Sequence, residues 1–385
     1  MSINVVSVPD KDVVMSYLKG DPVPWFNADT HTTPQFQFNA AAGRYVVLSF
    51  LGSTSRGASE QVVRDIEQRR TEFSDERVCF FGVSIDPVDF DNERVREFVP
   101  GVRYFKDFQH IVSEGYGAIS KGLAGTQAVL QYRPFSLVLD QRLRTIASIP
   151  IKDSGVGHID KVLDVVRPLP DFAGHSDADM QAPVLIVPNI FEPEFCKELI
   201  EIYEGQGGED SGFMRDQAGK TVGIYDYGTK RRRDQVIEDE VVRKKCMFKI
   251  HDRLAPEIRR AYQFDATRME RYIVACYEGE HGGHFRAHRD NTTKATAHRR
   301  FAVSLNLNDE YDGGCVWFPE YGKKLFKPPA GGACVFSCSL LHEATPVTSG
   351  HRYVFLPFLY DDEAAKVREA NQQFLGGNVN APPVK

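Results

Sequence analysis

Gly282-Gly-His-Phe-Arg-Ala-His288-Arg289-Asp290, read together with His342 and Arg352, decides how the C-terminal half is built. Side chains on a strand alternate faces, so His288 and Asp290, at i and i+2, share one face while Arg289 points away. A third ligand from a distant strand, His342 in Leu341-His342-Glu343, completes a set of two histidines and one carboxylate. That set leaves three positions open on one face of a ferrous ion. Two suit the keto acid of 2-oxoglutarate and one suits O2. Arg352 offers a guanidinium that grips the far carboxylate of such a cosubstrate bidentately.

Strand-like stretches surround these residues: Tyr272–Tyr277, Phe301–Leu307, Ala333–Phe336 and Tyr353–Leu356. The candidate ligands sit at or beside strand ends. Pro193 starts a helix with Phe195, Leu199, Ile202 and Tyr203 facing a core. Val242, Cys246, Ile250, Leu254 and Ile258 recur every four residues, the stripe of a longer helix packed against a sheet. Between these helices, Gly205–Asp234 is rich in Gly and charge and reads as a loop that shapes substrate choice. Within it, Lys230-Arg-Arg-Arg233 reads as a solvated run. His281, His284 and His298 read as loop residues or as partners around the ligands, and Trp317 and Phe318 as packing residues. Glu363–Phe374 is expected to be helical and Leu375–Lys385 to be a frayed tail.

Four stretches carry a family resemblance: Cys276-Tyr277-Glu-Gly, Gly282 to Asp290, Asp312-Gly-Gly-Cys-Val-Trp-Phe-Pro-Glu320, and His342-Glu-Ala-Thr-Pro-Val-Thr-Ser-Gly-His-Arg352. From about Ala182 to Asp362 the chain resembles the Fe(II)- and 2-oxoglutarate-dependent dioxygenases of the prolyl 4-hydroxylase type. The resemblance implies a double-stranded β-helix, or jelly roll, with supporting helices. It implies Fe(II) on His288, Asp290 and His342, and 2-oxoglutarate on Arg352 and the Tyr277 hydroxyl. Asn306 stands where some members use a Tyr to reach the cosubstrate and is the further cosubstrate candidate. Phe285 stands where the family often has another Tyr. The implied reaction converts 2-oxoglutarate and O2 to succinate and CO2 while hydroxylating a C–H bond, with ascorbate as a stimulant. Its substrate would be a prolyl or other protein residue, or a free amino-acid-like molecule. Asp290 fills the place that a halogenase leaves open for chloride, which favours hydroxylation. The alternative is an oxygen-, iron- or 2-oxoglutarate-sensing protein on a peroxiredoxin-like scaffold.

The N-terminal half alternates differently. Arg44–Phe50 is strand-like, Ser59–Phe73 carries Val62, Val63, Ile66 and Phe73 at helical spacing, and Val78–Ile85 and Phe135–Leu139 are strand-like again. The strand Thr145–Ile149 and the helix His158–Arg167, with Ile159, Val162, Leu163 and Val166 inward, close an α/β domain. Gly20-Asp-Pro-Val-Pro-Trp-Phe26, Gly82-Val-Ser-Ile-Asp86 and Arg133-Pro-Phe-Ser-Leu-Val-Leu-Asp140 make this half resemble the thioredoxin-fold peroxiredoxins. Where the peroxidatic Cys of that family should follow the first strand, the chain reads Gly52-Ser-Thr-Ser-Arg-Gly-Ala-Ser59. Neither Ala58 nor Ser59 supplies a thiolate, and Arg133, which would lower that thiol's pKa, has nothing to activate. The expectation is a redox-inactive scaffold.

At 385 residues, 42% hydrophobic and 26% charged, the chain is long enough for two cores. We expect residues 1–170 as the peroxiredoxin-like domain, 171–182 as a linker, 183–362 as the dioxygenase domain, and 363–385 as a C-terminal helix and tail. A net charge of −6 gives no overall basic balance for nucleic acid or an anionic membrane. Seven Cys with no paired metal-like spacing read as reduced thiols, and no stretch approaches a membrane span. The expected location is cytoplasmic, and the peroxiredoxin likeness makes a homodimer the expected assembly.

Overall fold

The computed structural model describes residues 17–379 except 56, 125–126, 153 and 171–179, and nearly all of the expected linker therefore lies outside the described residues. The chain divides into two compact units, Met1–Met180 with Pro319–Gly322, and Gln181–Phe318 with Lys323–Lys385.

In the first unit, β1 (Tyr45–Gly52), α1 (Ala58–Gln68) and β2 (Val78–Ser84) form a βαβ unit, and β3 (Val102–Lys106) extends it. β4 (Phe135–Leu139), β5 (Thr145–Pro150) and α2 (His158–Val166) follow. The sheet order is β3-β2-β1-β4-β5, parallel through the first three and antiparallel at β4 and β5. β1 and β2 are buried along their whole length, which is why they read as continuous apolar runs rather than alternating ones. Val62 and Ile66 of α1 and Ile159, Val162, Leu163 and Val166 of α2 pack with Phe80 and Tyr104 in one core. Each such side chain contributes about 1.5–3 kcal/mol by leaving water. β3 was not legible in the sequence, since Val102-Arg-Tyr-Phe-Lys106 is short and carries two charges.

The second unit begins with β6 (Leu185–Val187) and α3 (Pro193–Gln206). The stretch expected to be a loop from Gly205 to Asp234 is instead an ordered hairpin, β7 (Phe213–Gln217) and β8 (Lys220–Ile224), followed by β9 (Lys230–Arg231) and β10 (Arg233–Val236). Polar hairpin strands that bury few apolar groups leave little periodic signal. The expected long helix is α4 (Glu240–Lys249) and α5 (Ala255–Tyr262) joined by a π-helical segment, Ile250–Leu254. A repeat of four residues drifts about 40° per step on a 3.6-residue helix. The wider π turn offsets that drift, and all five stripe residues end up buried.

The remaining strands are β11 (Ile273–Glu278), β12 (His284–His288), β13 (Phe301–Asn306), β14 (Tyr311–Gly313), β15 (Val316–Trp317), β16 (Leu325–Phe326), β17 (Ala333–Ser337), β18 (His342–Ala344), β19 (Val347–Phe355) and β20 (Phe358–Tyr360). The larger sheet runs β6-β17-β13-β19-β11-β10, antiparallel at every step, and a five-stranded sheet runs β9-β12-β18-β15-β16. Strand alternation sorts the large sheet into two faces. Val274, Cys276, Val303, Leu305 and Phe355 join Leu199, Cys246, Leu254 and Ile258 of the helices, while Ala275, Tyr277 and Val354 turn to the other face with Tyr311 and Val347. α6 (Asp362–Asn371) is helical as expected. The expected frayed tail is a correction: Leu375–Val379 forms β21, parallel to β8, and only 380–385 lie outside the described residues. Backbone pairing, to which its Gly-Gly is no obstacle, holds it.

Candidate active site

β12 ends at His288 and pairs antiparallel with β18, placing His288 directly opposite His342. Asp290 lies just beyond the strand in a turn whose backbone N–H donates to the Cys338 carbonyl at 3.0 Å. The three residues converge. His288 Nε2 is 3.5 Å from Asp290 Oδ1, His342 Nε2 is 3.3 Å from Asp290 Oδ2, and one ligand atom from each residue lies within 4.8 Å of the others.

Both imidazoles are oriented from behind. Nδ1 of His288 is 2.7 Å from the Arg286 carbonyl, and Nδ1 of His342 is 3.0 Å from the Leu340 carbonyl. A carbonyl only accepts, so each Nδ1 carries the proton and each Nε2 presents its lone pair to the centre. Phe285 stacks on His288 at 3.5 Å between ring centroids, and Phe336 lies 4.5 Å from His342. Burial, reinforced by the neighbouring His288, pushes His342 down to about 4, so its ring is the neutral, metal-binding form at neutral pH. Nitrogen and carboxylate donors with a vacant side suit ferrous iron.

Arg352, on β19, is only 2% exposed and sits opposite Tyr277 in the β11–β19 pair. Its Nη2 donates to Ser304 Oγ at 2.7 Å and to Asn306 Oδ1 at 3.0 Å, and its Nε to Asn306 Oδ1 at 3.2 Å. Among the described residues no carboxylate pairs with it. A buried guanidinium bonded only to neutral groups is costly unless an anion joins it. Beside it, the Tyr311 hydroxyl is buried with no well-aligned hydrogen bond, the Arg352 guanidinium being its polar neighbour; burial raises its pKa and Arg352 opposes the rise. Gly314, at φ +60°, closes the wall: a Cβ there would meet Val347 and Arg352 carbons at 2.8 and 2.9 Å. A buried cation without a carboxylate and a buried hydroxyl without a well-aligned hydrogen bond, side by side, fit a carboxylate-bearing cosubstrate.

The predicted cosubstrate residues divide in two. Tyr277 is buried with its hydroxyl 3.3 Å from Arg232 Nη1, and the guanidinia of Arg232 and Arg352 lie 5.7 and 5.3 Å from its ring. Asn306 is fully buried, but both ends of its amide are occupied, Oδ1 by Arg352 and Nδ2 by the Pro328 carbonyl at 2.7 Å. Tyr311 and Ser304 were missed because only the tertiary fold brings them to Arg352.

The run Lys230–Arg233 is a correction. Lys230 and Arg232 are buried, whereas Arg231 and Arg233 are exposed. Arg232 holds Asp234 bidentately at 2.6 and 2.7 Å, and Arg271 adds a contact at 3.2 Å. Lys230 Nζ donates to Ser211 Oγ and the Gly212 carbonyl at 2.7 and 2.6 Å, and burial, with Arg232 nearby, pushes its pKa well down. The alternation of buried and exposed charges, with Asp234 two residues beyond Arg232, is the signal that could have shown this. His298 is likewise a buried partner of Glu270, at 2.9 Å. Arg299 binds Glu270 at 2.7 Å and reaches the Asp290 carbonyl at 3.5 Å, so it braces the backbone at Asp290. His281 lies 3.9 Å from Glu278, and the His284 ring meets the carbonyls of Gly282 and Gly228. Phe318 is a packing residue, edge-on to Phe336 at 4.9 Å.

Residues 272–360 match the model of the 2OG-Fe(II) oxygenase superfamily, and the C-terminal half carries an oxygenase domain of that superfamily. Similar proteins include the procollagen lysyl hydroxylase and glycosyltransferase of Acanthamoeba polyphaga mimivirus, 27% identical over 186 residues. That match takes in 44% of this chain but only 18% of the viral protein. A PKHD-type hydroxylase of Shewanella sp. (strain ANA-3) is 25% identical over 194 residues, 47% of this chain and 80% of the relative. Among solved structures, a prolyl hydroxylase from Trichoplax adhaerens in complex with a hypoxia inducible factor oxygen degradation domain peptide fragment is similar over 49% of this chain and 87% of its own, at 18% identity and TM-score 0.37. Peroxiredoxin Q of Xanthomonas campestris is similar over 37% of this chain and 89% of its own, at 18% identity and TM-score 0.33.

Proposed function

We propose that the protein is an Fe(II)- and 2-oxoglutarate-dependent hydroxylase, with iron on His288, Asp290 and His342. The convergence of those three side chains, with both Nε2 atoms turned inward, is the observation that carries the reading. Iron and 2-oxoglutarate, when bound, supply the oxidising chemistry that replaces a C–H bond by C–OH. The protein's own residues hold and shield. Arg352 and Tyr311 take the cosubstrate's far carboxylate, and Tyr277 lines the same pocket. Asn306 acts through Arg352, fixing the plane of its guanidinium rather than touching the cosubstrate. Phe285 and Phe336 cover the imidazoles and keep water off them.

In this reading residues 1–170 are a redox-inactive scaffold and the substrate is a peptide residue or an amino-acid-like molecule. The alternative of a sensing protein rests on the same site. Succinate release by the purified protein with ferrous iron and 2-oxoglutarate under air, with and without peptides, amino acids and cell extract, tests the assignment. Stimulation by one component supports the hydroxylase. Slow substrate-independent release that nothing stimulates favours sensing, and no succinate above a His342→Ala control overturns the hydroxylase and favours the sensing or scaffold reading.

A further inference from the structure

On β7, Phe213 and Arg215 share one face, two residues apart. The Phe213 ring lies 6.3 Å from that of Phe285, which stacks on the ligand candidate His288 at 3.5 Å. The Arg215 guanidinium sits 5.7 Å from the Phe213 ring, and the Lys230 ammonium 4.9 Å from the Phe285 ring. Two aromatic rings therefore lead away from His288, with a cation beside each.

The two cations differ in a way that matters. Lys230 spends its N–H groups on Ser211 and Gly212. Arg215 has neither a hydrogen-bond acceptor nor an ion-pair partner among the described residues. Asp226 is the acid whose charge reaches it, but that carboxylate is occupied by the Gly228 amide and the Thr229 hydroxyl at 2.9 and 2.7 Å. Arg215 is only partly exposed, and burial draws its pKa below the ordinary value, so water satisfies it incompletely. A half-buried planar fork without an acceptor, beside apolar rings, is built to receive a carboxylate.

We propose that Arg215 anchors a carboxylate of the substrate on the Phe285 side of the His288–Asp290–His342 site, while the substrate's apolar part lies against Phe213 and Phe285. This rests on the hydroxylase reading and narrows its substrate to molecules or peptide segments that carry an acidic group together with an apolar part.

The test uses the intact protein with ferrous iron, 2-oxoglutarate and the twenty N-acetyl amino acids, each as free acid and as carboxamide. Substrate-stimulated consumption of 2-oxoglutarate is read. At least one compound bearing a carboxylate should stimulate more than about tenfold better than its uncharged counterpart. Arg215→Met should raise the KM for that compound by about tenfold or more, and Arg215→Lys, which keeps the charge but not the fork, should recover part of the loss. Equal stimulation by acid and amide, or an unchanged KM in Arg215→Met, overturns the proposal while leaving the hydroxylase reading standing; stimulation by neither overturns the proposal and leaves the hydroxylase reading to the peptide and cell-extract arms of the succinate assay. No consumption of 2-oxoglutarate at all in the unaltered protein overturns both.

Discussion

His288 and His342 face each other across one antiparallel strand pair, but between this pair and the next, Phe285 with Ala344, β12 advances three residues and β18 only two. That irregularity lets His288 and Phe285 stack while both imidazoles still converge on Asp290. With ferrous iron at a hundred times its dissociation constant, the protein should gain about 2.7 kcal/mol of stability. His342→Ala should lose that gain and all iron-dependent succinate formation. Thermal melting with and without ferrous iron, anaerobically, checks it.

The Tyr311 hydroxyl is buried beside Arg352 with no well-aligned hydrogen bond. Tyr311→Phe should therefore leave the stability of the cosubstrate-free protein unchanged or slightly raised. It should weaken 2-oxoglutarate about tenfold, the size of one hydrogen bond to a charged group. Asn306→Ala should do the opposite in part: it strips bonds from Arg352 and the Pro328 carbonyl and destabilises the free protein by about 1–3 kcal/mol. Melting temperatures together with the KM for 2-oxoglutarate separate the two roles.

Asp234 is the counter-ion of Arg232 and Arg271 in a buried cluster that also holds Lys230. Asp234→Asn leaves these cations without their carboxylate and should destabilise by about 3–5 kcal/mol. Double replacement of Asp234 and Arg232 by neutral residues should be less harmful than the sum of the singles. Denaturant unfolding of the four proteins of that cycle measures the coupling.

In the first unit, His158 is buried against Ser136 Oγ at 2.8 Å, and burial, helped by Lys161, holds its pKa at about 4 instead of 6.5. The folded ring stays neutral while the unfolded chain takes up a proton as pH falls below 6.5. Stability from this group is thus whole above pH 6.5 and is lost progressively down to about pH 4, by up to about 3 kcal/mol. His158→Gln should flatten that slope, as followed by melting temperature between pH 7.5 and 4.

Intact protein should show no thiol-dependent turnover of hydrogen peroxide. Gly52–Ser59, where the resemblance expects a peroxidatic Cys, holds no thiol; Ala58 begins α1, and the Ser59 hydroxyl is committed to the Leu51 carbonyl at 2.6 Å. Cys79 is fully buried, and burial pushes its thiol up to about 12, so it offers no thiolate at neutral pH. Robust peroxide turnover would overturn the redox-inactive reading.

The sequence by itself determined the parts whose information is local. The convergence of His288, Asp290 and His342 was legible from residue type and close spacing, although the expectation that one strand carries both His288 and Asp290 is corrected: the strand ends at His288 and a turn brings Asp290 in. The βαβ start of the first unit was legible because buried parallel strands need continuous apolar runs, as in Tyr45–Gly52 and Val78–Ser84. The lack of a cysteine anywhere in Gly52–Ser59 needed no structure at all. Tertiary structure alone decided what depends on distant segments meeting. It brought Ser304, Asn306 and Tyr311 around Arg352, buried Lys230 and Arg232 where a charge run suggested solvent, and paired Leu375–Val379 with Lys220–Ile224. The physical reason is that burial of a charge or a hydroxyl and pairing of a strand edge are properties of contacts between elements, and no window of sequence contains both sides of such a contact.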